Sequence, residues 1–137
     1  MNPIEARIFR IETVLKNINS IVREELIKDQ NFIAELNRQQ LSRGENSEGD
    51  PMPNYVPDSI QPSAPGRITL FETGDFYDGI APLFEDDHFE MIGTDDKTPF
   101  LESKYKALGL SPESIEVLRE RLAVRLKKRI NEQIRTK

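Results

Sequence analysis

An α+β fold is predicted for this 137-residue chain: a long N-terminal helix, a long irregular loop rich in proline and glycine, a small antiparallel β-sheet or hairpin, and a C-terminal helix. Three observations predict it. Apolar residues recur at helical spacing over 3–41 and again over 115–134. Five prolines and three glycines crowd into 42–66. Short apolar runs with turn residues between them fill 67–94. The whole, 1–137, reads as one domain.

The first helix is expected over 3–41. Asn2 and Pro3 supply an N-cap and a first-turn proline. Ile4, Ile8, Ile11, Leu15, Ile18 and Val22 are spaced 4, 3, 4, 3, 4, which is a heptad seam suited to a partner helix. Leu26, Ile33 and Leu36 carry the apolar face on after a slip in register. One unbroken helix of this length would run to about 57 Å, more than a small domain can cover. A break near 29–31 would resolve this, as would packing against another subunit.

The segment 42–66 is irregular chain, too long for a plain connector. It reads as a functional arm or as chain ordered only on assembly, with Tyr55 and Val56 as its anchors. Within 67–94, residues 67–72 alternate as a strand and 89–93 form a second. Residues 80–84 are a candidate third, placed at an edge by Pro82. A short helix is expected over 97–109, closed by Gly109. Ser111, Pro112 and Glu113 then open the last helix, whose apolar stripe runs Ile115, Leu118, Leu122, Leu126, Ile130, Ile134.

Composition bounds the function. At 36% hydrophobic and 31% charged, the chain has a thin private core, so surface buried against neighbouring copies is plausible. With no Cys there is no disulfide, thiolate metal site or Cys nucleophile, which fits a reducing compartment. No apolar run approaches the ~20 residues needed to span a bilayer, and no membrane contact is expected. The net charge of −5 is unevenly spread: neutral over 1–41, −10 over 42–113 and +6 over 119–137. Basic residues suit a helix C-terminus, and an acidic middle and basic end also suit head-to-tail pairing of copies.

The stretch FETGDFYDGIAPLF, 71–84, has two glycines and three carboxylates that invite a chemical reading. After Gly79 come Ile80 and Ala81, where a Walker loop needs Lys and Ser or Thr, and the third glycine of a dinucleotide fingerprint is missing. Asp75 and Asp78 have no nearby base to set one carboxyl apart from the other, so they read as a solvated face, with Asp75 also a cap for a helix over 76–79. His88, among Glu85, Asp86, Asp87 and Glu90, reads as part of a polar turn, because adjacent residues rarely converge on one ion. GENSEGD fails as a calcium loop: with Gly49 sixth, Gly44 stands first and offers no side-chain ligand. The chain is therefore expected not to be an enzyme and to carry no cofactor and no metal. Arg119, Arg121, Arg125, Lys127, Lys128, Arg129, Arg135 and Lys137 give the last helix a basic surface able to meet DNA phosphate without sequence preference.

One resemblance follows from the order of these features. A long helix ends at Gln39, Gln40 and Leu41; Arg43 and Gly44 follow; then comes a Gly-x-Pro-x-Pro-x-Tyr run from Gly49 to Tyr55. Arg67, Ile68, Thr69 and Leu70 lead into Thr73, Gly74, Asp75, Phe76, Tyr77, Asp78, Gly79 and Ile80. Over about 35–95 this resembles the small neck and tail-completion (head–tail connector) proteins of tailed bacteriophages, in the form seen in phages of gut anaerobes. Tyr55 stands where Trp is commoner, and Gly79 where Ser is usual. The resemblance implies a virion structural protein that forms a ring of copies around the DNA channel, between portal or connector and tail proteins. It implies that 71–80 places a hairpin, with Phe71, Phe76 and Tyr77 packing it onto the helices. The contacts it implies fall on Ile8, Ile11, Leu15, Ile18, Val22, Tyr55, Phe76, Tyr77, Lys127, Lys128 and Arg129. The alternative is a soluble helical oligomerisation or regulatory module pairing through 4–22.

Overall fold

In the computed structural model, which describes residues 2–54 and 66–135, the chain is α+β, with six helices and one two-stranded antiparallel sheet among those residues. The N-terminal region is three helices in succession: α1 (Pro3–Lys16), α2 (Ile18–Lys28) and α3 (Gln30–Ser42). Asn2 caps α1 through a capping box, accepting from the Glu5 amide at 2.7 Å while its own amide donates to the Glu5 carboxylate. Single residues separate the helices, Asn17 (φ −103°, ψ 8°) and Asp29 (φ −97°, ψ 15°). The expected single helix over 3–41 is thus corrected. One of its two breaks falls at the edge of 29–31, and the other, at Asn17, carried no sequence signal stronger than its poor helix propensity.

The C-terminal helix α6 (Pro112–Arg135) runs antiparallel to all three. Arg10 of α1 donates to the Ile134 carbonyl, Glu25 of α2 meets Arg125, and Ile33 and Leu36 of α3 pack with Leu118 and Leu122. Ser111 caps α6 as the sequence implies, its hydroxyl accepting from the Ser114 amide at 3.2 Å. This pairing decides which face of α1 and α2 is buried. It is Val14, Ile21 and Glu25, flanked by half-buried Ile11 and Ile18. At 100° per residue that face lies about 90° round the helix from the Ile4–Ile8–Leu15 edge of the seam. The seam therefore splits: one edge packs on α6 and the other faces out.

The 42–66 arm is partly built into the fold. Gly44 turns the chain at φ +74°, and a Cβ there would meet the Arg67 Cβ at 2.6 Å. The Asn46 side chain accepts from the amides of Glu48 and Asp50, both at 2.9 Å, and closes a tight turn. Met52 is buried in a cluster with Leu41, Phe76, Tyr77, Ile80 and Ala107. Tyr55 and Val56 lie outside the described residues.

The strand expected over 67–72 is absent from the described structure. Arg67 makes one isolated bridge to Asn54, the Ile68 amide reaches the Pro53 carbonyl, and Leu70 turns at φ +60°. Its neighbour, 51–54, contains two prolines that cannot donate to a ladder. The sheet is instead β1 (Ala81–Phe84) with β2 (Phe89–Ile92), joined by a turn over 85–88 in which the Glu85 amide donates to the His88 carbonyl. Pro82 pairs with Met91 between the hydrogen-bonded pairs, so its missing N–H costs the ladder nothing. Phe84 and Phe89 meet with tilted rings, centroids 5.8 Å apart, and pack against the cluster formed by Ile33, Leu36, Leu118 and Leu122. After β2 in the chain comes α5 (Thr98–Tyr105), which ends at Lys106 in the left-handed region, φ 54°, rather than at Gly109. No described helix is long and apolar enough to cross a membrane.

Candidate functional site

The stretch 71–84 is held as a structural corner. Gly74, at φ +90°, turns the chain into the one-turn helix α4 (Asp75–Asp78), and the Thr73 hydroxyl accepts from the Asp75 amide at 3.3 Å. Asp75 is thus the first residue of the turn and not its cap. Phe76 and Tyr77 are buried; the Tyr77 hydroxyl donates to the Thr69 carbonyl. Phe71, expected in the core, stays more than half exposed and lies edge-on to Tyr77 at 5.1 Å. From α3, Arg38 donates to the carbonyls of Tyr77 (2.8 Å) and Ile80 (3.2 Å), fixing the corner to the helix. Glu72, Asp75 and Asp78 face solvent, and Glu72 pairs with Lys97.

At the hairpin tip, the His88 ring lies 2.7 Å from the Asp87 carboxylate and 3.5 Å from Glu90. The hydrogen bond to Asp87 raises the imidazole above its ordinary pKa, and the same bond lowers the Asp87 carboxyl. Among the described residues, no three His, Asp or Glu side chains converge as metal ligands would. A shallow crevice of about 100 Å³ separates the tip from α2, lined by Val22, Leu26, Phe84 and His88 among others.

Two polar arrangements were not among the expectations from the sequence. First, Asn37 and Gln40, both fully buried on α3, clamp the backbone of 107–111. Asn37 donates to the Ala107 carbonyl and accepts from the Gly109 amide; Gln40 donates to the Gly109 carbonyl and accepts from the Ser111 amide, all at 2.8–2.9 Å. Each amide side chain acts as a strand edge would, satisfying a connector that has no strand partner. The signal was available: both residues sit among Ile33, Leu36 and Leu41 on an otherwise apolar face.

Second, Glu25 and Asp29 are each only 4% exposed and both face arginines of α6. Arg125 bridges both, at 3.1 Å to Glu25 and 2.8 Å to Asp29; Arg121 adds to Asp29 and Arg129 to Glu25 and Glu24. Lys28 beside Glu25, with Arg129 and Arg125, holds the Glu25 carboxyl down at about 2 despite the opposing effect of burial. Acids at i, i+4 facing arginines at i, i+4, i+8 were the readable signature. The expectation that the basic tail pairs with the acidic middle is corrected for these three arginines: they pair with acids of α2 and the residue that follows it in their own chain.

The sequence-predicted contact residues divide accordingly. Ile8 and Leu15 are exposed; Ile11, Ile18 and Val22 are half-buried; Phe76 and Tyr77 belong to the core; Tyr55 lies outside the described residues. Lys127 and Lys128 face solvent, whereas Arg129 is engaged by Glu24 and Glu25. Among the described residues, apolar side chains are also left exposed on α1 and α6. On the outer edge of α1, Ile4, Ile8 and Leu15 are 73%, 50% and 62% exposed. On α6, Ile115, Ala123 and Leu126, with Arg119, rim an open apolar groove of about 270 Å³, floored by Leu118 and Leu122, whose other sides are packed on Ile33 and Leu36. Set against family models, curated proteins and solved structures, the chain matches none.

Proposed function

We propose that this chain is a structural virion protein of the phage head–tail connector or tail-completion kind, which assembles as a ring around the DNA channel and contacts portal or connector and tail proteins. The observation that carries the reading is the outer face of α1. Three large aliphatic side chains in heptad spacing stand exposed on a helix whose other side is already packed on α6. A chain with so thin a core gains by burying them against another helix; at ~25 cal/mol per Å² each is worth about 1–2 kcal/mol in an interface. The order of helix, glycine-marked arm and glycine corner leading into a hairpin supports the connector reading over other assemblies.

Light scattering and negative-stain microscopy of the purified protein test this directly. Rings of roughly six to twelve copies support it, as closed heterologous contacts require. A dimer that stays a dimer at every concentration points instead to a helical oligomerisation module, and a monomer removes both readings.

A further inference from the structure

We propose that α1 of one copy docks antiparallel into the α6 groove of the next, so that one head-to-tail contact, repeated, builds the assembly. This rests on the ring reading above and names the surfaces that would form it. The occupant is argued from length, spacing and charge. Ile4, Ile8, Ile11 and Leu15 follow one another by 4, 3 and 4 residues; Ile115, Arg119, Leu122 and Leu126 on the groove do the same. Both stripes cover 12 residues, 11 steps or about 16 Å of helix. Laid antiparallel, Ile4 meets Leu126, Ile8 sits on Ala123 above the buried Leu122 of the groove floor, Ile11 meets the apolar stem of Arg119, and Leu15 meets Ile115.

The exposed charges flanking the two stripes then match. Along one flank of α1 run Glu5, Glu12 and Lys16; in the opposing direction on α6 come Lys127 on the corresponding flank, the charged head of the stripe residue Arg119, and Glu116, the last two already paired with each other at 3.0 Å on the exposed surface. Two helices lying antiparallel bring these flanks to the same side, acid to base at all three places. Glu120 is the one residue of that flank with the opposite sign to its need. The two surfaces are different and on one chain, which makes the contact heterologous and able to close a ring. They cannot meet within a chain: α1 lies against the far end of α6, where Arg10 bonds Ile134, and Leu15 is about 24 Å along the helix from Ile115.

Two exposed substitutions test it, Ile8→Glu on α1 and Ala123→Glu in the groove. Each puts a carboxylate into the contact and should weaken self-association at least about 100-fold while leaving the melting temperature within a few degrees. Mixed together, each variant retains the surface the other lacks, so a 1:1 dimer and nothing larger should form. In this Cys-free chain, Leu15→Cys with Ile115→Cys should oxidise to covalent oligomers, and Leu15→Cys with Leu126→Cys should not. Rings that survive both glutamates, or a mixture that forms no dimer, overturn the docking while leaving the ring reading intact. A wild-type chain monomeric at every concentration overturns both.

Discussion

Removing Arg125 is the sharpest probe of how the two halves of the chain are held. Its side chain is one-third exposed, while the side chains of the two acids it bridges are only 4–5% exposed. Arg125→Leu deletes bonds to Glu25, to Asp29 and to the Glu25 carbonyl at 3.0 Å. Breaking a buried ion pair on one side typically costs about 3–5 kcal/mol, because the other charge is stranded. Here Lys28 and Arg129 remain for Glu25, and Arg121 for Asp29, so about 2–3 kcal/mol is expected. For a chain of this size that lowers the melting temperature by roughly 8–12 °C.

The pH dependence identifies the cause. Glu25 has its pKa depressed from 4.5 to about 2, so its contribution is complete above pH 4.5 and is lost as pH falls toward 2. At 1.36 kcal/mol per pH unit that amounts to at most about 3 kcal/mol. Urea unfolding followed by circular dichroism, at pH 7 and pH 3, should show the wild type losing stability on acidification and the variant losing less. A variant within 0.5 kcal/mol of wild type at pH 7, or equal losses for both at low pH, would refute the reasoning.

Three further substitutions separate buried positions from exposed ones. Val14→Asp should cost several kcal/mol and Leu15→Asp almost nothing in thermal unfolding of the monomer, since only Val14 faces α6; the reverse order would mean that the heptad edge is the packed one. Asn37→Ala strands the Ala107 carbonyl and Gly109 amide, and should lose about 2–4 kcal/mol in urea titration and speed amide exchange at 107–111. Gly44→Ala forces a side chain into the left-handed region and against Arg67, and should lose about 2 kcal/mol or more, again by urea titration.

Sequence pattern carried furthest where local rules and packing agreed. The Ser111–Pro112 start of α6 and the capping of α1 at Asn2 each follow from one or two residues' stereochemistry, and the strand expected over 80–84 forms as Ala81–Phe84. It failed where partners decided. Residues 67–72 alternate like a strand but face a proline-bearing segment, so pairing is lost whatever their propensity. Gly109 reads as a helix end, yet the chain leaves α5 at Lys106 because Asn37 and Gln40 need 107–111 extended beside them. The heptad seam was legible as a stripe, but not which of its edges α6 would take. That choice is made by Glu25 and Asp29 meeting three arginines, a long-range match that no window of one helix contains.

The same cluster changes how the basic tail is to be tested. Reversing Lys127, Lys128 and Arg129 together would mix two effects, because Arg129 is engaged by Glu24 and Glu25 of its own chain while the two lysines are exposed. Arg129→Glu alone sets a third acid beside Glu24 and Glu25, and should lower the melting temperature of the monomer by several degrees. Lys127→Glu with Lys128→Glu should leave that temperature unchanged, since surface charges of this kind contribute less than about 1 kcal/mol. If the lysines meet an acidic neighbour, the double reversal weakens assembly in the absence of DNA, most at low salt, where exposed charges are least screened. If they line a channel, empty rings form normally and only their hold on DNA is lost. The neighbour contact is the expected outcome, because Lys127 lies on the flank of the same groove that α1 is proposed to fill. Sedimentation of the double variant at low salt, with and without DNA, decides between them; wild-type assembly of the DNA-free variant would remove the neighbour contact.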